Sequence, residues 1–402
     1  MGSRVAGRLR PRSRLTPGGD RIESVNGHSF SRRRKLTWAV NREILQGNAF
    51  GYTAASRNLM DALSRRSDVD LADEGGEDDW VVHFCHPKNF HPENYPGRRN
   101  AIFTMYEMHP PPPYYSQSFK KADLVVTPST YCAKLFKPLV GKVPLAVSRL
   151  GYDSERFSFH EGRQPPEEGV EPFRWLWLGA ANERKGYKIL MVAWALDPKP
   201  DHGKTNAGLV GADGKPMFST LEPHPDPAFK DRRDVCLLMK TTRWQDGGDE
   251  RTFSVDNVCY DERRLSRDDL AGLYDGAHAF VFPSYGEGWG LTALEALATG
   301  LPVVTIDYSG MRDFLDEKHG AAFCGYSEVE LDVDRDEDGF GKAFAMRPDV
   351  WDLRAKMNDV MRNYPAYLKR AKRGARRAAE QFTWDHAAES LVDVLGRAEG
   401  GR

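Results

Sequence analysis

Short, almost wholly apolar segments recur along this chain, each followed by a polar turn and then a stretch with helical spacing. Few folds accept that alternation. KLTWAV at 35–40, WVVHFC at 80–85, AIFTMY at 101–106, DLVVTPS at 123–129 and KVPLAVSRLG at 142–151 form one series. FRWLWLG at 173–179, DVCLLMKT at 234–241, AHAFVFPS at 277–284 and LPVVTID at 301–307 form a second. Strands this continuously apolar are covered on both faces, as in parallel sheets wrapped by crossover helices. Helical patterns at 53–65, 187–196, 266–274 and 290–299 supply the crossovers, and 349–398 reads as helical throughout. The expected fold class is α/β, with two doubly wound domains.

Boundaries follow from the breaks in this pattern. Residues 1–34 are Arg-, Gly- and Ser-rich without apolar periodicity and read as a disordered basic tail. Residues 35–159 form the first domain. HEGRQPPEEGVEP at 160–172 reads as a linker, 173–380 as the second domain, and 381–402 as a terminal helix. A long irregular insertion is expected at 197–230, and DEGGEDD at 73–79 reads as a surface loop.

Hydrophobic residues make up 40% of the 402, charged residues 29%, and the net charge is -1, so no whole-protein attraction to nucleic acid or anionic membrane is implied. The five cysteines, Cys85, Cys132, Cys236, Cys259 and Cys324, are scattered without close pairs, which reads as reduced thiols and not as a zinc site or disulfide framework. No segment approaches about 18 consecutive apolar residues, and no secretory h-region opens the chain. A cytoplasmic location is expected.

The densest chemical signal is PSYGEGWGLTALEALATGL at 283–301. A buried strand ends, a turn with Gly286, Gly288 and Gly290 follows, and a helix begins. Glycines let backbone approach a ligand closely. The unpaired N–H groups and positive dipole of a helix start attract anions, and open α/β sheets bind ligands at the carboxyl ends of their strands. A diphosphate suits such a turn. Glu287 in the loop and Glu295 in the helix are spaced to address two parts of one extended ligand, and a carboxylate beside a phosphate turn commonly meets a ribose hydroxyl.

These residues, with those around them, resemble retaining family-4 glycosyltransferases, whose fold is GT-B: two Rossmann-like domains facing a cleft, with the C-terminal helix crossing back to the first. Glu287, seven residues and Glu295 match that family's E-x7-E signature. GLYDGAHAFVFPS, GAANERKGYKIL, FTWDHAAESLVDVL and LGYDSERF continue the resemblance, closely from about 172 to 398 and more loosely from 36 to 157. The resemblance implies that Glu287 contacts the sugar or its phosphate, that Glu295 holds the ribose, and that backbone at Gly290, Leu291 and Thr292 cradles the diphosphate. Lys185 in ERKG fits the family's loop lysine. The arginine usual after the first glycine is absent, since Ala180 follows Gly179, and Arg184 is the nearby substitute.

The expected activity is therefore metal-independent transfer, with retention, from a nucleotide-diphosphate-sugar to a hydroxyl. UDP is the expected nucleotide by family frequency, with GDP and ADP open. Fixed cations would stabilise the charge growing on the leaving diphosphate. The nucleotide-sugar is a co-substrate, so no cofactor is implied. Asp332, Asp334, Asp336 and Asp338 read as a solvated loop and not a metal site.

The first domain should supply the acceptor side. Gly47, Asn48 and Gly51 lie in a flexible loop after its first strand, His86 ends its second, and Glu107 and His109 follow its third. Either Glu107 or His109 is placed to orient an acceptor hydroxyl or steady an oxocarbenium-like transition state. The acceptor itself, whether a carbohydrate, lipid-linked, protein or nucleic-acid hydroxyl, is not legible, nor is the oligomeric state. Three other readings fit the same residues: a GT-B nucleotide-sugar epimerase, a non-catalytic nucleotide-sugar-binding scaffold, and a transferase to nucleic acid that uses the basic tail as an arm.

Overall fold

The structure is a computed structural model that describes residues 33–39, 50–71, 79–195, 226–241, 255–336 and 339–400. Two six-stranded parallel sheets organise it. The first runs β2-β1-β3-β4-β5-β6, from β1 (Arg34–Ala39), β2 (Val69–Leu71), β3 (Trp80–Phe84), β4 (Arg99–Phe103), β5 (Leu124–Thr127) and β6 (Leu145–Val147). The second runs β12-β11-β10-β7-β8-β9, from β7 (Phe173–Leu178), β8 (Val235–Lys240), β9 (Val258–Asp261), β10 (Ala279–Val281), β11 (Val303–Ile306) and β12 (Ala321–Cys324).

The central strands are buried on both faces, which is why their sequences lack polar alternation. Every residue of β3, β5, β10 and β11 is buried. In each sheet the chain builds outward from its first strand in one direction and then returns to build in the other. The reversal falls between β1 and β3, and between β7 and β10. In open α/β sheets, ligands bind at such reversals, outside the strands' carboxyl ends.

Helices α1 (Phe50–Ser64), α2 (Tyr114–Phe119) and α3 (Thr130–Phe136) belong to the first half. Helices α4 (Tyr187–Ala195), α5 (Arg267–Gly276) and α6 (Leu291–Ala298) belong to the second, followed by α7 (Val350–Arg362) and α8 (Tyr364–Gln381). Ser129 and Ser266 cap α3 and α5 with side-chain oxygens. The last helix, α9 (Trp384–Gly400), crosses back onto α1 of the first half. Arg34 donates to the Val392 carbonyl and pairs with Glu399, which also accepts from Trp80 Nε1 at 3.0 Å. No described helix is long and apolar enough to cross a membrane.

Several expectations change. Arg34 is the first residue of β1 and not part of the tail, because Glu399 and the Val392 carbonyl hold its guanidinium. Gly51 lies in the first turn of α1 and not in a loop. The linker has no regular element, but it is not free. Its Arg163 is buried, and the guanidinium donates to the Tyr274, Ala277 and Thr299 carbonyls, fastening the strap to the ends of α5 and α6.

Asp332, Asp334 and Asp336 are not in a loop. They lie in β13 (Tyr326–Asp336), which pairs antiparallel with β14 (Gly339–Pro348), Asp332 opposite Lys342. Along the sequence the acids alternate with Val329, Leu331 and Val333, the period-two pattern of a strand. Val329 and Leu331 pack on the core. Residues 1–32, Gly47, Asn48, most of the 73–79 and 197–230 stretches, and Asp338 lie outside the described residues.

Candidate functional site

Two loops leave the second sheet on either side of its reversal. The loop after β7 carries Arg184 and Lys185 in a short turn, Glu183–Lys185, capped by the Asn182 side chain and closed by Gly186 at φ 72. Only glycine fits this last position, because a Cβ there would overlap the Pro283 carbonyl. The loop after β10 carries Ser284 to Gly290. The two loops are stitched by Tyr285 N–H to the Arg184 carbonyl, 2.8 Å, and by the Arg184 guanidinium to the Gly286 carbonyl, 2.6 Å.

Glu287 sits at the centre of this contact, with its side chain 8% exposed. Its Oε1 accepts from Lys185 Nζ at 2.6 Å, from Ser284 Oγ at 2.6 Å and from Arg184 at 3.3 Å. Its backbone is clamped from below: its N–H donates to Ser309 Oγ, 3.0 Å, and its carbonyl accepts from Gly310 N–H, 2.9 Å. Ser309 holds a positive φ of 68, a costly conformation for a non-glycine residue. The Glu107 carboxylate reaches over from the first domain to within 3.8 Å of Arg184.

Burial by itself would raise the Glu287 carboxyl. The combined pull of Lys185 and Arg184 outweighs it and holds the group below the ordinary carboxylate range. Burial draws the Lys185 ammonium below its ordinary value, only partly offset by Glu287. Burial also opposes the Arg184 charge, but Glu107 and Glu287 more than restore it. The result is a largely buried charge cluster with two cations and two carboxylates. A lysine ammonium carries three donors and an arginine five, so both can bind further acceptors.

The glycines of the motif divide their work. Gly286, Gly288 and Gly290 are all buried, while Leu291 and Thr292 at the start of α6 keep some exposure. A Cβ on Gly286 would meet the Glu107 carbonyl, and one on Gly288 would meet the Met105 side chain. Gly288 also accepts from Ser129 Oγ at 2.7 Å through its carbonyl. These two glycines therefore seat the loop against the ends of β4 and β5. Gly290, at φ 100, caps α6 and turns the chain into it, leaving the first-turn N–H groups of Leu291 and Thr292 without partners inside the helix.

Glu295, one turn further, accepts from the buried Tyr274 hydroxyl at 3.0 Å. Burial raises its carboxyl to about 7, against the opposing effects of Tyr274 and Arg267. Arg267 bonds Asn58 of α1 and Asp153, so Glu295 lies near the seam between the two halves.

The structure thus brings together Glu287, Lys185, Arg184 and Glu107. The other acceptor-side candidates sit in different neighbourhoods. His86 caps a short turn, and its Nε2 lies 3.2 Å from the Tyr114 hydroxyl. His109 is taken up by the β13–β14 hairpin. Its backbone pairs with Phe344, its ring stacks on Phe344 at 5.6 Å, and its Nε2 is 3.2 Å from Glu328. Gly51 is exposed on α1. Sequence reasoning missed Ser284, Ser309, Tyr274 and the interdomain cap Asp313, whose carboxylate accepts from Thr130 N–H at 3.1 Å and Thr130 Oγ1 at 2.6 Å. Ser284 had a weak signal, a small polar residue closing an apolar strand. The other three had none. Among the described residues, no group of three or more His, Cys, Asp or Glu is placed to hold a metal ion.

Residues 249–391 match the family described as "Family 4 Glycosyltransferase in conflict systems". The chain is 34% identical over 134 residues to a D-inositol 3-phosphate glycosyltransferase of Salinispora tropica, covering 33% of this chain and 23% of that protein. It is 26% identical over 179 residues to an MMP alpha-(1->4)-mannosyltransferase of Mycolicibacterium hassiacum, covering 44% and 38%. The matched region thus spans well under half the length of these relatives. Among solved structures, Anabaena HepE in complex with UDP and glucose superposes with a TM-score of 0.59 at 12% identity, covering 91% of this chain and 100% of that one. Sucrose-phosphate synthase from Thermosynechococcus elongatus gives 0.54 at 14%, covering 80% and 74%. At such identities the likeness speaks to fold alone, and the fold is two-domain GT-B.

Proposed function

We propose, from the premise that the chain belongs to the family-4 glycosyltransferases with the GT-B fold, that it transfers a sugar from a nucleotide-diphosphate-sugar to a hydroxyl acceptor. UDP is the proposed nucleotide, retention the proposed stereochemistry, and no metal is required. The observation that carries this reading is the pair Arg184 and Lys185, held on Glu287 at the reversal between β7 and β10, beside the open start of α6.

As the anomeric C–O bond breaks, negative charge grows on the leaving diphosphate. Lys185, Arg184 and the N–H groups of Leu291 and Thr292 are fixed before the reaction, so they stabilise that charge without reorganising. Two cations supply the compensation that a divalent ion would otherwise provide. Glu295 accepts the ribose hydroxyls. Glu287 orients the two cations and meets the sugar. The acceptor enters from the first domain past Glu107, and closure against Met105 and Ser129 excludes water that would hydrolyse the donor. Transfer on one face of the sugar needs no protein nucleophile, and none is assigned.

The test is a thermal-shift screen of nucleoside diphosphates and their sugars, followed by product analysis with donor alone and with EDTA. Ligands that favour the native state raise its melting temperature. Stabilisation by UDP, slow hydrolysis of one UDP-sugar and full activity in EDTA are expected. Epimerised sugar from donor alone would replace this reading with an epimerase. Binding without any turnover would make the chain a scaffold.

A further inference from the structure

The most uneven charge among the described residues lies on α8, which packs on α6 and turns its other face outward. Its 18 residues include Lys369, Arg370, Lys372, Arg373, Arg376 and Arg377, against a single acid, Glu380. The whole chain has a net charge of -1, so this is a local excess. Lys369, Arg373 and Arg376 are exposed, and the other three are half-buried. Arg377 pairs with Asp316 at 2.8 Å. Among the described residues, no acid pairs with the other five. Arg370 instead lies over the Tyr367 ring, and Lys372 over Phe159. Arg373 donates to the Lys318 carbonyl, which brings Lys318, also exposed, to the edge of the same face.

The opposite face of α8 is committed to the fold. Tyr364, Tyr367, Leu368, Ala371, Gly374, Ala375 and Ala378 are buried. Gly374 touches the His319 carbonyl, and Gly320 touches Ala371, so the helix cannot roll. Firm binding to a bilayer needs an apolar face to insert. This helix has none to spare, and its exposed uncharged positions are Pro365, Ala366, Ala379 and Gln381. What remains is a rigid row of cations. Lys369, Arg373 and Arg376 follow one another at about 6 and about 4.5 Å along the axis, at ~1.5 Å per residue. One strand of a duplex presents a phosphate every ~3.4 Å, so a row about 10 Å long lies alongside several phosphates at once. The arginines add bidentate geometry toward phosphate oxygens.

We infer that the outer face of α8, centred on Lys369, Arg373 and Arg376, docks the phosphate backbone of a nucleic acid. The inference stands apart from the donor-site reading: it does not require that the nucleic acid be the acceptor.

The full-length chain is titrated against a labelled duplex DNA and an RNA of about 24 nucleotides, by anisotropy, between about 50 and 200 mM salt. The triple variant K369Q/R373Q/R376Q should bind at least tenfold more weakly at the low-salt end. The slope of log affinity against log salt should fall by about 2.7 on the duplex, ~0.9 for each phosphate no longer neutralised. An unchanged UDP-induced thermal shift would show the fold intact. Glu380→Lys, which extends the row, should tighten binding, and this holds even if the triple variant folds poorly. Wild-type chain that does not bind at low salt overturns the inference. So does a triple variant with unchanged affinity and slope, an E380K variant with unchanged affinity, or a triple variant that no longer binds phosphatidylserine vesicles while keeping nucleic acid.

Discussion

Replacing Glu295 by Gln should stabilise the folded chain at about pH 8 and leave it nearly unchanged at about pH 4.5. In the fold this carboxyl is raised by burial from its ordinary 4.5 to about 7. Between those values the native state keeps a proton that the unfolded chain has lost. Stability therefore falls as pH rises through this window, and the whole cost is present above it. At 1.36 kcal/mol per pH unit, the cost is at most about 3.4 kcal/mol. Glu295 retains some exposure, so ~1–3 kcal/mol is expected. Glutamine removes the charge but keeps a carbonyl for the Tyr274 hydroxyl. For a domain of this size each kcal/mol moves the midpoint by about 2–4 °C, so Tm should rise by about 2–12 °C at the higher pH. Scanning calorimetry of both chains across the range reads this directly. The same variant should lose affinity for UDP, because the carboxylate proposed to hold the ribose is gone. A Tm difference that does not vary with pH, or a variant less stable at about pH 8, would refute the electrostatic account of this residue.

The remaining predictions concern the cations and the seams. Lys185→Ala should lower kcat by about 10²–10³, the usual cost of one fixed group facing a developing anion; steady-state kinetics with nearly normal turnover would remove Lys185 from the leaving-group role. Gly186→Ala forces a side chain into a left-handed position against the Pro283 carbonyl. It should cost ~1–3 kcal/mol in strain and reduce transfer, because the turn holding Arg184 and Lys185 must shift; urea unfolding and kinetics measure both. Asp313→Ala removes the cap that the second domain places on Thr130. A loss of ~1–2 kcal/mol is expected, with looser domains by small-angle scattering. Wild-type dimensions and stability would show that the interface does not depend on this cap.

The fold was legible because it is written in local terms. Apolar runs covered on both faces, helical spacing between them and a glycine turn at a strand end all lie within a few residues of one another, and together they imply two doubly wound sheets. The pairing of Lys185 with Glu287 was suggested only as two roles in one site. That they share one carboxylate oxygen, with Ser284 as a third donor, depends on β7 and β10 becoming neighbours, although about 100 residues separate the loops. The hairpin hid in an acidic run because its apolar residues are only every second one, and charge masked the alternation.

The sequence by itself determined the continuously apolar central strands, the glycine turn after β10 and which residue types stand in it, since each follows from spacing along the backbone. Tertiary structure alone decided which charge meets which. It gave Gly286 and Gly288 to the contact with the first domain, drew His109 to Phe344 and Glu328, and left the cations of α8 facing outward. The physical reason is that electrostatic and steric contacts depend on distances in space. Those distances exist only once strand order has folded distant parts of the chain together.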